Sequence, residues 1–314
     1  MPSTVTKNLM EIKVSAIVVC FSPRRDELVR LLDSLKTQVS TILVMNNGGI
    51  SQALLAELKT MPAVRVVDMG GNQGIATALN CGFTMLDQSG AEFGLTFDQD
   101  SRPPPNHASA LIAAWYRLGA IARKDGRRVG AIGPSFYDTR DGRFDYPFFR
   151  AAGWRVEQIF ENSGELVPQA DVLITSGMLL PLHIWRKFPF LEELFIDHVD
   201  TEWCFRTLNA GFQHHGCFDV KMEHELSDAH PIKLFGMTLL KYSHIRRYYF
   251  FRNGIFLATR RYVPLTFRLR LIAGLLIRMV TSPFIDVQPG KSIIYIFSGL
   301  FDALRGKFGK KHFN

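Results

Sequence analysis

Asp98 and Asp100 stand two residues apart in GLTFDQDSRPPP (residues 94–105), an apolar run that ends in three prolines. On a regular strand the two carboxylates would point to opposite faces. At a strand end, where the alternation breaks, both can approach one ligand. Carboxylates with spare oxygens suit Mg2+ or Mn2+, above all a cation shared with phosphate. The plainer reading is a strand that closes in a turn. A second acidic group lies in DHVDTEW (residues 197–203). There Asp200 reads either as a helix cap, with Glu202 as a first-turn acid favoured by the helix dipole, or as a general base in a low-dielectric cleft. GGNQG (residues 70–74) is either a phosphate-cradling turn or simply a tight one, and its glycines lack dinucleotide-site spacing. SPRR (residues 22–25) offers positive charge after the first apolar run, and His224 is a lone imidazole whose ordinary role is structural. There is no G-x-S-x-G elbow, P-loop lysine or H-E-x-x-H.

The flanking elements place these groups. VSAIVVCF, TILVMNNGG, VRVVDM and FGLTFDQD are short apolar, β-branched runs, and three amphipathic stretches separate them. That alternation predicts right-handed βαβ units and a largely parallel sheet. Asp98 and Asp100 then fall at the carboxyl end of the fourth strand, the edge where open α/β sheets bind ligands. Pro103, Pro104 and Pro105 stop the strand and lead into a helix through NHASALIAAWYRLGAIA. RVGAIGPSF reads as a strand and turn, and residues 137–170 as irregular structure over a site. ADVLITSGMLLPLHIWRKF holds a strand, a Ser-Gly turn and a short helix. A further helix is expected from Thr201, with Gly211 closing it.

Charge divides the chain. Residues 1–228 carry 22 basic and 27 acidic groups, whereas residues 229–285 carry ten basic groups and no acid. The expected organisation is a catalytic body over 1–228 and a basic, aromatic helical extension over 229–314. LIAGLLI, within that extension, is too short to cross a bilayer, but a helix lying on anionic lipid fits the composition. Packing as a helical subdomain or oligomer interface is the alternative. Cys20, Cys81, Cys204 and Cys217 have no metal-ligand spacing, and no disulfides are expected. The N-terminus has no signal-like apolar stretch, so a cytoplasmic protein is expected.

GNQGIATALNCG, LTFDQDSRPP, TSGMLL, LEELFIDHVDTEWCFRTLNAG and YYFFRNG occur in this order. Together they resemble the bacterial inverting glycosyltransferases of family 2, in their rhamnosyltransferase-like branch, over about residues 12–260. The resemblance implies a GT-A α/β fold, a mostly parallel central sheet flanked by helices. Asp98 would lie towards the nucleotide ribose, with Gln99 beside it, and Asp100 would bind Mg2+ or Mn2+, its sphere completed by His224. Asp200 would be the catalytic base and Asp197 its substitute, with Glu202, Trp203 and Arg206 shaping the acceptor site. Asn72 would sit near the donor. Where the family often has a base-reading Asp after the second strand, this chain has Asn46 and Asn47, which leaves the nucleobase open. The implied reaction moves L-rhamnose from dTDP-L-rhamnose to a lipid-linked saccharide, at the inner face of the cell membrane and without nucleic acid. Transfer of galactofuranose or a hexose, or a non-catalytic polyanion-binding role, are the alternatives.

Overall fold

The computed structural model describes residues 12–139, 143–223, 229–234, 237–241, 243–286 and 288–313. Its first half alternates as expected: β1 (Val14–Cys20), α1 (Arg25–Leu35), β2 (Ile42–Asn46), α2 (Gln52–Leu58), β3 (Val64–Asp68), α3 (Ile75–Gln88), β4 (Phe93–Asp98) and α4 (His107–Lys124). Next come β5 (Arg128–Asp138), β6 (Phe144–Asp145), the hairpin of β7 (Phe148–Ala152) and β8 (Arg155–Ile159), β9 (Met178–Pro181) and α5 (Leu182–Trp185). The chain continues through α6 (Val199–Asn209), β10 (Phe212–Glu223), the hairpin of β11 (Ala229–Leu234) and β12 (Met237–Lys241), then α7 (His244–Ala258), α8 (Leu265–Ile285) and α9 (Pro289–Leu304).

The central sheet runs β10-β5-β9-β4-β1-β2-β3, with β6 on β5. Every pair on the β3 side of β4 is parallel, as is β10 with β5. β9 runs antiparallel to both its neighbours. Period-two alternation divides the sheet's side chains. Ile17, Leu43 and Met45 pack with α3 and α6 on one face, and Ala16, Val18 and Val44 with α1 and α4 on the other. Two details differ from the sequence reading. The apolar ADVLIT stretch makes only an isolated bridge, at Val172, because its amides bond irregular partners; the strand follows the Ser176-Gly177 turn instead. Residues 137–170, expected to be irregular, contain the β7–β8 hairpin. All four cysteines are free.

Helices α7, α8 and α9 pack on one another, and α7 grips the loop before α6. Arg252 is 1% exposed and has carbonyl partners instead of a carboxylate. It donates to Glu193 O (3.1 Å), Leu194 O (3.0 Å) and Gly309 O (2.6 Å), and through Nε to Asn253 Oδ1 (3.0 Å). The rings of Tyr248, Tyr249 and Phe308 surround the guanidinium. Asn253 Nδ2 in turn donates to Leu194 O (2.9 Å), Ile196 O (2.8 Å) and Asp197 O (2.9 Å).

That grip holds a backbone that would otherwise relax. Phe195, Asp197 and His198 all have left-handed φ, at 65°, 61° and 62°. Each such residue costs on the order of 1–3 kcal/mol. Ile196 N bonds Leu194 O (2.8 Å), closing a tight γ-turn at Phe195. The loop also touches the start of α3, where Ile75 N donates to Phe195 O (2.7 Å). Gly74 permits this approach, since its φ is 87° and a Cβ there would stand 2.6 Å from Phe195 O. Asn253→Ala takes the side-chain donor from the partly buried Ile196 and Asp197 carbonyls, while Leu194 O keeps Arg252. The substitution should lower the unfolding free energy by about 2–3 kcal/mol in urea titration. A loss below about 0.5 kcal/mol would show that the loop does not depend on this contact.

Candidate active site

A cleft of about 770 Å³ opens at the carboxyl ends of β1, β2 and β4. Register explains the placement. Asp98 is level with Val19 on β1, and Cys20 with Asn46 on β2, so the ends of three strands form one rim. Asp98, Gln99 and Asp100 line one wall. Gln99 Oε1 accepts the Phe21 amide at 2.8 Å, tying the end of β4 to the end of β1. The strained loop and first turn of α6 form a second wall with Asp197, His198 and Asp200. Arg246 and Phe250 of α7 form a third, and Asn47, Asn72 and Ile75 complete the lining.

Crowding sets the protonation chemistry. Burial pushes Asp98 up to about 7, the Asp100 charge adds to this, and Arg246 opposes it. Burial likewise pushes Asp200 up to about 6; the amide and hydroxyl of Thr201 oppose this, while Asp98 and Asp197 add to it. A carboxylate with a pKa of about 6 is ionised at neutral pH yet far more basic than a surface aspartate, as a general base requires. Burial lowers His198 to about 4, helped by the Arg278 charge, so its ring is neutral at pH 7. The ring packs on Phe250 at 4.7 Å, and the Arg278 guanidinium lies over the Phe250 ring, 5.0 Å from its centroid.

Seven of the residues expected in the site therefore share the cleft: Asn47, Asn72, Asp98, Gln99, Asp100, Asp197 and Asp200. Four others point elsewhere. Asn46 is buried and accepts the Gly48 amide (3.2 Å). Glu202 is fully buried, bonded by Arg206 (2.7 and 3.1 Å) and by the Tyr262 hydroxyl (2.7 Å). Arg206 also reaches Pro189 O, and the Trp203 indole donates to Phe188 O at 2.7 Å. For Glu202 helical phase is the reason, because 100° per residue sets it nearly opposite Asp200. These three side chains brace α6 against its surroundings. His224 lies outside the described residues.

The GGNQG segment is a tight turn, with no free amide nest at its helix start. The amides of Gln73, Gly74 and Ile75 already bond Asn47 Oδ1 (2.7 Å), Asn72 Oδ1 (3.0 Å) and Phe195 O. Nor does SPRR supply the cleft's positive charge, since Arg25 pairs with Glu57 at 2.6 Å and Arg24 with Glu27 at 3.3 Å. Arg246 supplies it instead, held by Asp197 at 2.8 Å. Arg246, Phe250 and His198 were not anticipated. His198 lies between two singled-out acids and was findable there. Arg246 lies 49 residues from Asp197 and carries no local signal.

The carboxylates suit a hard cation. Asp100 is exposed at the rim beside Asp98, and Mg2+ typically takes one or two protein carboxylates, substrate phosphate and water. Among the described residues no three His, Cys, Asp or Glu side chains converge as a self-sufficient metal group.

Comparison with known proteins agrees with this geometry. The sequence model described as Glycosyl transferase family 2 matches residues 15–167. The dTDP-rhamnosyl transferase RfbF of Shigella flexneri is 32% identical over 311 residues, 97% of this chain and 100% of that protein. Among solved structures, GalNAc-T7 with UDP, GalNAc and Mn2+ aligns with a TM-score of 0.58 at 10% identity, over 94% of this chain. The chain spans just over half of that structure, 56%. TarS 1-349 of S. aureus in complex with UDP-GlcNAc aligns with a TM-score of 0.53 at 13% identity, over 94% of this chain and 82% of that one. The structural likenesses establish a GT-A-type fold, and the full-length relative, together with the family model, shows that this chain belongs to the family 2 glycosyltransferases.

Proposed function

We propose that the protein transfers L-rhamnose from dTDP-L-rhamnose to a hydroxyl of a growing, lipid-linked saccharide, with inversion at the anomeric carbon. The observation that carries this reading is the cleft in which Asp98 and Asp100 at the end of β4 share one space with Asp200, whose pKa of about 6 suits proton abstraction. The choice of donor is supported by the likeness to the Shigella rhamnosyl transferase.

In this reading Asp98, Gln99, Asn47 and Asn72 hold the nucleotide end of the donor. Asp200 takes the proton of the acceptor hydroxyl as that oxygen attacks the anomeric carbon. The bond from that carbon to the diphosphate breaks in the same displacement, and nucleoside diphosphate leaves. A Mg2+ or Mn2+ held by Asp100, with His224 as a further ligand, would supply charge to the departing diphosphate. The loop of residues 195–198 and Phe250 limit water, which would otherwise hydrolyse the donor.

The C-terminal helices support seating on a membrane. Among the described residues no helix is long and apolar enough to cross one. Among the described residues, twelve of the nineteen exposed large apolar side chains lie between Leu265 and Leu304, including Leu276, Val280, Phe284, Ile294 and Phe297. Residues 243–313 hold thirteen Lys and Arg but only two acids, and both acids face inward. Asp286 pairs with Arg247, and Asp302 bonds the Tyr248 hydroxyl and Lys311. An apolar surface with basic neighbours and no exposed acid matches anionic lipid.

Asp200→Asn should reduce turnover by about a thousandfold or more while leaving donor binding within about twofold. Normal turnover would remove Asp200 as the base. For the wild type, the base must be ionised, so kcat/KM should fall about tenfold per pH unit below about 6. A flat profile from pH 5 to 8 would contradict this role. A donor screen with Mg2+ or Mn2+ should show nucleoside diphosphate release from dTDP-rhamnose with a lipid-linked acceptor. Release only from a UDP- or GDP-sugar would replace the donor, and release from none would end the transferase reading. Vesicles containing anionic phospholipid should float the protein. Leu276→Glu with Phe284→Glu should abolish flotation, and binding unaffected by this pair would refute the proposed surface.

A further inference from the structure

Asp98, Asp100, Asp197 and Asp200 all line the cleft, and Arg246 is the only lysine or arginine among its described lining residues. A nucleotide sugar brings a diphosphate into this acidic space, and breaking the sugar–phosphate bond concentrates further charge on the leaving oxygen. A cation held at Asp100 would offset part of that charge. The fixed cation of the site is Arg246.

Its geometry suits a phosphate. Nη2 donates to Asp197 Oδ1 at 2.8 Å on the wall of the 195–198 loop. The same guanidinium lines the cleft with Asp98 at the end of β4 and acts electrostatically on it. The side chain is about one-third exposed and faces the cleft. Its root is fixed: Ser243 caps α7 and accepts the Arg246 amide at 3.4 Å. Six and seven residues further along the same helix, Arg252 and Asn253 lock α7 to the loop. A guanidinium on so fixed a base offers two parallel donors to phosphate oxygens.

We propose that Arg246 is the diphosphate-holding residue of this cleft, exchanging Asp197 for the donor's phosphate oxygens when the nucleotide sugar binds. Asp197 is then a resting partner that keeps the guanidinium aimed at the site before donor arrives. The C-terminal helices thereby supply a group that the αβ body lacks, and the cleft is complete only when α7 is docked. The inference rests on the nucleotide-sugar reading.

The test is calorimetric titration of the full-length protein with dTDP and with thymidine, in Mg2+. Arg246→Gln should weaken dTDP by about tenfold or more and change thymidine by less than about twofold. Arg246→Lys, which keeps charge but loses the fork, should fall between. Asp197→Asn frees the guanidinium and should hold or strengthen dTDP binding. Arg186→Gln, which removes one charge from a surface pair with Asp87 far from the cleft, is the control and should change neither ligand. A purely structural ion pair would make Arg246→Gln and Asp197→Asn behave alike and lower both ligands together; that result, or unchanged dTDP binding in Arg246→Gln, overturns the proposal. If the wild type binds thymidine nucleotides in no form, nor UDP or GDP, the donor reading itself fails and takes this inference with it.

Discussion

The site depends on a side-chain grip at a distance in sequence: Arg252 and Asn253 of α7 hold the carbonyls of Glu193, Leu194, Ile196 and Asp197. Without those donors, three non-glycine residues in left-handed conformation have little to keep them there. With them, the chain turns sharply at Phe195, bonds the start of α3, and enters α6 with Asp200 in its first turn. The rim carboxylates of β4 need only a parallel sheet. Their partner wall needs the C-terminal helices. A guanidinium fully buried among carbonyls and aromatic rings is a demanding arrangement, and its yield is positional: one loop held in one shape.

Enclosure then creates the chemistry. Burial raises the proton affinity of Asp98 and Asp200, and the neighbouring acid charges add to it. The sign of the effect on folding follows. Raised carboxyl pKa values mean that the native state binds protons more tightly than the unfolded chain. Stability contributed by these groups is therefore lost as pH rises from the ordinary carboxylate range through about 6 and 7. At neutral pH the ionised carboxylates of the cleft repel one another. Arg246 is the cation built into the chain that opposes this repulsion.

Much of this was legible in the sequence. Val14–Cys20 and Ile42–Asn46 are apolar at nearly every position because both faces of the sheet are covered, and the pattern of strands and helices then put Asp98 at the binding edge. The clustering of Asp197 and Asp200 before an apolar helix was also readable. Helical phase could have excluded Glu202 and Arg206 from the cleft, since they fall on the far side of α6 from Asp200. The reversed strand β9 could not be read, because a four-residue apolar run does not reveal its direction. The same holds for Arg246 and Phe250: their place follows from the docking of α7, and no local pattern encodes a contact across about fifty residues.

In the proposed reaction Asp200 as base, Arg246 as fixed cation and a rim for the nucleotide serve a single displacement, with the acceptor attacking from the face opposite the diphosphate. The most direct measurement is the anomeric configuration of the product, read by NMR from the one-bond C1–H1 coupling of the transferred sugar and compared with that of the donor. The account predicts inversion. Retention would require a sugar–enzyme intermediate or front-face attack, and would contradict the role given to Asp200 and the architecture built around it.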